Sequence, residues 1–296
     1  DYLLKVAVSP PPPPPPTGGR TIHLNPGGSF ETAVESLLPG DTLIVHAGTY
    51  SDTGRISITV PGTASQPVVI MGATGEARPF ITRPTTATLQ NTINIEGSAS
   101  YLTMKGLEIV GNGVDGIAIN GTISNITIED NVIHDVDVGI GMHTSQSNLV
   151  IRKNHIYNTG RGGGTGEGMY VGCNDSTCIV RDSLIAENWI HDSLAGTTQG
   201  DGIEVKVGYH SNDIRDNVIY NRSYPGILVY GTGANPVNIV EGNVVWNSSE
   251  GISALSDAIV RNNIVHSSGC GLCIYTHVQV TQRKDITAVN NTLYNN

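Results

Sequence analysis

Large aromatic residues are scarce: the 296-residue chain holds two phenylalanines and two tryptophans. Counting eleven tyrosines, aromatics are still only 5% of residues, and the composition does not point to a helical protein. Charge is also sparse, at 14% of residues, and it is lopsided. Lys plus Arg number 16 against 26 Asp plus Glu, a formal net charge of -10. No Lys/Arg cluster offers phosphate contacts, which argues against nucleic acid as a partner. No apolar run reaches about 18 residues, so no stretch reads as a transmembrane helix and no membrane partner is expected. Only four cysteines are present, in two close pairs, Cys173/Cys178 and Cys270/Cys273. They read as disulfides of an exported, extracellular protein. Zinc is the rival for Cys270-Gly-Leu-Cys273, but no second CxxC or HxxxH accompanies it.

Glycine is abundant, at 36 residues. With asparagine and β-branched residues it suits many short strands and tight turns. Residues 1–19 read as the end of a preceding module plus a linker, because Pro10–Pro16 is an unbroken proline run and therefore stiff polyproline II; a disordered tail is the alternative. Residues 20–296 form the main domain, a monomer within a multi-domain chain. Ser29 caps a short helix carrying Phe30, Ala33, Val34, Leu37 and Leu38 at helical spacing, a lid for the open end of a strand stack. Asp41–Tyr50, Val68–Met71 and Ile93–Ile95 read as strands.

From residue 101 the chain repeats. A Gly-apolar-x-apolar-x unit starts at Gly116, Gly139, Gly168, Gly202, Gly226, Gly251 and Gly271, with intervals of 23, 29, 34, 24, 25 and 20 residues. A second unit is a strand ending in asparagine: Asn131, Asn154, Asn188, Asn217, Asn243, Asn263 and Asn291. A period in the twenties with period-two strands marks a solenoid, here an all-β parallel β-helix. Equivalent positions then stack at about 4.8 Å. The asparagines form a buried amide ladder. His134, Tyr157, His191, Tyr220, Trp246, His266 and Tyr294, three after each asparagine, form a column of rings; a structural stack is favoured over a sugar-binding platform.

In the glycine unit the first and third residues point inward and the second and fourth outward. The outward columns include Tyr170, Glu204 and Leu228, and His143, Lys206 and Tyr230; Glu167 and Asp201 sit at the preceding bend. The two longest intervals flank Gly168. Their extra residues, 158–166, 173–181 and 193–200, are expected to wall a cleft. There Glu167 and Asp201 stack one coil apart, about 5 Å, and repel unless a cation lies between them. Glu204 adds a third carboxylate, and Asp175 and Asn174 reach in from a loop. Oxygen-only ligands suit calcium. Lys206 shares the face of Glu204, with Tyr170 and Tyr230 beside it; a surface ion pair is the plainer alternative. An outward lysine is expected to be replaceable by alanine with the fold intact.

Glu167-Gly-Met-Tyr-Val-Gly172 and Asp201-Gly-Ile-Glu-Val-Lys206 resemble the two signature coils of polysaccharide lyase family 6, which holds chondroitinase B and several alginate lyases. The resemblance implies a right-handed, pectate-lyase-like parallel β-helix. It implies that Asp201 ligates calcium, that Glu167 is a further ligand, and that Lys206 is the base. The chain departs from the family pattern at Gln199, where another glutamate is usual, and at Tyr170, in place of the first-coil arginine. Tyr230 stands about where the family's catalytic arginine lies.

The implied chemistry is β-elimination on a uronate-containing acidic polysaccharide such as alginate, pectate or a glycosaminoglycan. Calcium on the uronate carboxylate stabilises the developing enolate-like charge, and Lys206 takes the C5 proton. Tyr230, then Tyr170 or His143, is the candidate proton donor, with His143 also reading as an ordinary outward histidine. Arg181 and Arg222, with Asn174, are candidates for holding the sugar. The alternatives are a uronan C5-epimerase and a non-catalytic carbohydrate-binding or adhesin module. No second acid is placed for a glycoside hydrolase.

Overall fold

The computed structural model describes residues 18–84, 90–111, 113–174, 177–232 and 236–296. The expected end of a preceding module, the proline run and Asp175 lie outside the described residues. Across the described residues, each full coil gives one short strand to each of three sheets, of 13, 10 and 9 strands, and successive coils pair in parallel. Ile117, Ile140, Met169, Ile203, Ile227 and Ile252 stack in register on the 9-stranded sheet and are buried. Each such side chain contributes roughly 1.5–3 kcal/mol relative to exposure. The core is thus mainly a column of medium apolar residues, with Tyr50, Tyr209 and Phe30 as its largest members.

Two devices hold the coils in register. In the asparagine ladder, Asn188 Nδ2 donates to Asn217 Oδ1 at 2.9 Å, and Asn217 Nδ2 donates to Asn243 Oδ1 at 2.9 Å. The same Oδ1 atoms accept from the backbone N–H of the preceding coil's asparagine. The residue before each ladder asparagine takes a left-handed turn, including Lys153 and Glu187, at φ 57° and 56°. The repeated glycines answer a different need: a Cβ on Gly168 would lie 2.5 Å from the Gly202 carbonyl oxygen, so the coils approach too closely for a side chain. A shorter ladder of Ser183, Asn212 and Asn238 was not legible in the repeats.

The ring column forms as expected. Its planes lie within 3–17° of parallel with centroids 4.3–5.8 Å apart. Because neighbouring rings cover each other's faces, the column has few faces left for a sugar, and the structural reading holds. Both cysteine pairs form disulfides, which removes the zinc alternative. The helix spans Phe30–Glu35, with Ser29 Oγ accepting from Thr32 N at 3.0 Å. Phe30, Val34 and Leu37 join the core, while Leu38 is exposed. The Asp41–Tyr50 stretch breaks into two strands, Thr42–Val45 and Thr49–Ser51. No helix among the described residues is long and apolar enough to cross a membrane.

Pointing outward does not leave the glycine-unit columns exposed, and the surface ion pair weighed for Lys206 is a buried one. On the 9-stranded sheet Glu204, Lys206, Leu228, Tyr230, Ser253 and Leu255 are buried, and Tyr275 on the last coil is half-buried. The reason is a strap between the Gly271 unit and the strand before Asn291. Val280 packs with Val207, Leu228, Tyr230 and Leu255 in a second apolar layer on that face. The strap leaves a trace in the ladder spacing, which is 28 residues from Asn263 to Asn291 against 20 for the preceding step.

Candidate active site

Strands Met169–Val171 and Ile203–Val205 are neighbours in the sheet, with Tyr170 opposite Glu204. Gly168 N donates to Asp201 O at 2.8 Å and Lys206 N to Val171 O at 2.9 Å. This pairing gathers Glu167, Asp201 and Glu204, which each offer an oxygen within 4.8 Å of the others. Lys206 Nζ donates to Glu204 Oε1 at 2.7 Å. It lies 4.6 Å from the Tyr230 ring centroid and 5.4 Å from that of Tyr170, within cation–π range.

The assembly is enclosed rather than set in an open cleft. Lys206 is 3% exposed, and a ring of contacts closes around its ammonium. Tyr170 donates its hydroxyl to Asn174 Oδ1 at 3.2 Å. The Asn174 carbonyl accepts from Gln279 Nε2 of the strap. His277, on the same strap, meets the Tyr230 ring edge-on, with centroids 5.2 Å apart. Tyr230 completes the circuit against Lys206.

Burial dominates the electrostatics. It pushes the Glu167 carboxyl up to about 7, with Glu204 and Asp137 adding to the rise and the Thr165 hydroxyl offsetting part of it. Asp201 is raised well above the usual carboxylate range, first by burial and then by Glu204 and Glu167, with Arg222 and Lys206 opposing. Burial likewise raises the Tyr230 hydroxyl, helped by the charges of Glu204 and Asp201.

The acids fit a hard cation. Both Glu167 carboxylate oxygens, Asp201 Oδ1 and Glu204 Oε2 are buried without a well-formed hydrogen bond among the described residues. Buried oxygens of that kind call for a proton or a metal ion, and an all-oxygen set suits calcium.

The other expected residues divide. Asn174 joins the site, and with His143 and the Cys173–Cys178 disulfide it lines an adjoining cavity of about 460 Å³. His143 is half-exposed, bonded to Asp115 Oδ2 at 2.7 Å and tilted against Tyr170. Arg181 is not brought to the acids: it is exposed on the 13-stranded sheet and paired with Asp182. Arg222 is no surface clamp for sugar either. It is 3% exposed and donates to backbone carbonyls, because the turn after strand Val218–Tyr220 carries it inward toward the acids. Gln279, His277 and Val280 were missed, lying outside the glycine repeat.

Three stacked parallel sheets, with acids and a lysine gathered on one of them, define the chain as a parallel β-helix protein. The profile of the Pel9A-like, right-handed β-helix region matches residues 17–169, and the chain belongs to that family. The match includes Glu167 and stops before Asp201, Glu204 and Lys206. An alginate lyase from Paenibacillus sp. str. FPU-7 superposes with a TM-score of 0.73 at 20% identity, over 93% of this chain and 95% of that one. Pectate lyase Pel9A gives 0.61 at 15% identity, over 92% and 80%. The polysaccharide lyase family 6 alginate lyase AlyGC gives 0.51 at 19% identity, over 87% and 40%. A GH136 lacto-N-biosidase from Eubacterium ramulus shares the solenoid as well. At these identities the likeness is one of fold. No curated protein sequence matches.

Proposed function

We propose that the protein is a secreted polysaccharide lyase that cleaves a uronate-containing glycan by β-elimination, with Lys206 as the base. The observation that carries this reading is a lysine held at 2.7 Å from Glu204, inside a group of three carboxylates and between two tyrosines. Lys206 Nζ takes the C5 proton, the C4–C5 double bond forms, and the C4–O bond breaks. A tyrosine hydroxyl protonates the departing oxygen. Tyr170 suits that role better than Tyr230, because it is the less buried and its hydroxyl meets Asn174 at the cavity.

Glu167, Asp201 and Glu204 would hold calcium, which supplies charge stabilisation for the enolate-like intermediate. Charge balance supports this. With Lys206 neutral, as a base must be, three carboxylates against Arg222 leave a formal -2, which repels a uronate; a divalent ion brings this to zero and lifts the repulsion. The glycan must then enter by the cavity beside His143 and Asn174, and the Gln279 contact to Asn174 must open, because Lys206 is buried. The two disulfides support an oxidising, extracellular setting.

Burial of Lys206 favours a second reading, a non-catalytic carbohydrate-binding module whose ion pair is structural. One assay separates the two. The protein is incubated with alginate, pectate and chondroitin or dermatan, with and without a chelator, and ultraviolet absorbance of the unsaturated uronyl end is followed. Absorbance growth on one polymer supports the lyase; none on any polymer, with calcium present, refutes it.

A further inference from the structure

Arg222 spends its hydrogen bonds on the interior of the protein. Its Nε donates to Gly200 O at 2.9 Å. Its Nη2 donates to Gly166 O at 2.6 Å, Thr159 Oγ1 at 2.8 Å and Asp201 O at 3.0 Å. Gly166 precedes Glu167, and Gly200 precedes Asp201. One guanidinium therefore grips the backbone on both sides of the coil boundary that the two acids face across. It also ties together two of the inserted segments, since Thr159 and Gly166 belong to one and Gly200 to the other.

We infer that Arg222 is a positioning residue of the acidic site. It sets the separation of the Glu167 and Asp201 carboxylates and supplies part of the positive charge that lets three acids be buried together. A planar fork with several donors does this from one position, whereas an ammonium on a flexible stem serves as a point charge and cannot hold both coils at fixed spacing. The inference rests on the reading of these acids as a calcium site. Groups that orient ligating side chains typically carry about 10–100-fold of metal affinity or activity.

The test compares wild type with Arg222→Lys, which keeps the charge and loses the fork, and with Arg222→Gly supplied with guanidinium at low concentration. Calcium affinity is read by calorimetry, folding by circular dichroism, and kcat and KM on whichever polymer the wild type cleaves. Arg222→Lys is expected to stay folded and to lose about 10–100-fold in calcium affinity, with kcat falling more than KM rises. Guanidinium is expected to restore calcium binding to Arg222→Gly and to leave the wild type unchanged. A folded Arg222→Lys protein that binds calcium as tightly as wild type overturns the inference while leaving the site reading intact. Wild-type protein that binds no calcium overturns the site reading, and this role with it.

Discussion

Replacing Lys206 by methionine removes one ammonium and little volume, so its consequences can be worked from the contacts. The ammonium sits 2.7 Å from Glu204 Oε1, and the two side chains are 3% and 2% exposed. The other Glu204 oxygen has no well-formed hydrogen bond among the described residues. Removing one member of a buried pair leaves the other charge uncompensated, a cost of about 3–5 kcal/mol. Loss of the contact with the Tyr230 ring adds about 0.5–2 kcal/mol. The variant should therefore be folded but clearly weakened in equilibrium denaturation, contrary to what an outward lysine implies. Elimination should fall by at least about 100-fold, the lower range for a positioned base. The double variant Lys206→Met/Glu204→Gln removes both charges and should recover most of the stability, because a neutral replacement of a buried pair is often near neutral. Activity should stay lost. Unchanged stability in the single variant would show that the pair is not held as described, and elimination surviving in the double variant would remove Lys206 from the chemistry.

Asn217→Ala deletes four bonds, to Asn188 N, Asn188 Nδ2, Ile185 O and Asn243 Oδ1, and leaves those groups buried. At about 1 kcal/mol each the loss is roughly 4 kcal/mol; Asn291→Ala, at the half-buried end of the ladder, should cost less, and equal losses in denaturation would contradict the ladder argument. The Glu167 carboxyl is raised from 4.5 to about 7, so its neutral form is the one the folded state favours. That contribution is full below pH 4.5 and declines as pH rises through 7, so chelated protein should melt lower at about pH 8 than at about pH 5. Calcium should raise the melting temperature more at the higher pH than at the lower; a gain independent of pH would separate the ion from these acids. Tyr170→Phe should lower kcat by about 100-fold or more if its hydroxyl is the proton donor, while Tyr230→Phe should act mainly on stability; the reverse pattern would exchange their roles.

Much of the fold could be read before any coordinates. Glycine and asparagine recurring every twenty to thirty residues or so specify a parallel stack, because only stacked coils turn such spacing into columns. Hence the amide ladder, the ring column, the helix cap at Ser29 and the meeting of Glu167, Asp201, Glu204 and Lys206 follow from local pattern and register. The ladder of Ser183, Asn212 and Asn238 escaped notice because its short series occurs outside the two repeated units.

What surrounds the gathered acids was decided only in three dimensions. Outward position on a strand says which way a side chain leaves its sheet, not whether something lies on top of it. The strap bearing His277, Gln279 and Val280 reaches the site from far along the chain, Gln279 lying 105 residues from its partner Asn174. The lengthened ladder step marks where it leaves the repeat but not where it folds, and it covers Tyr230 beside Lys206. Arg222 likewise looked like a surface cation in one dimension and became an internal brace in three, since a side chain's partners are set by the coils that fold around it.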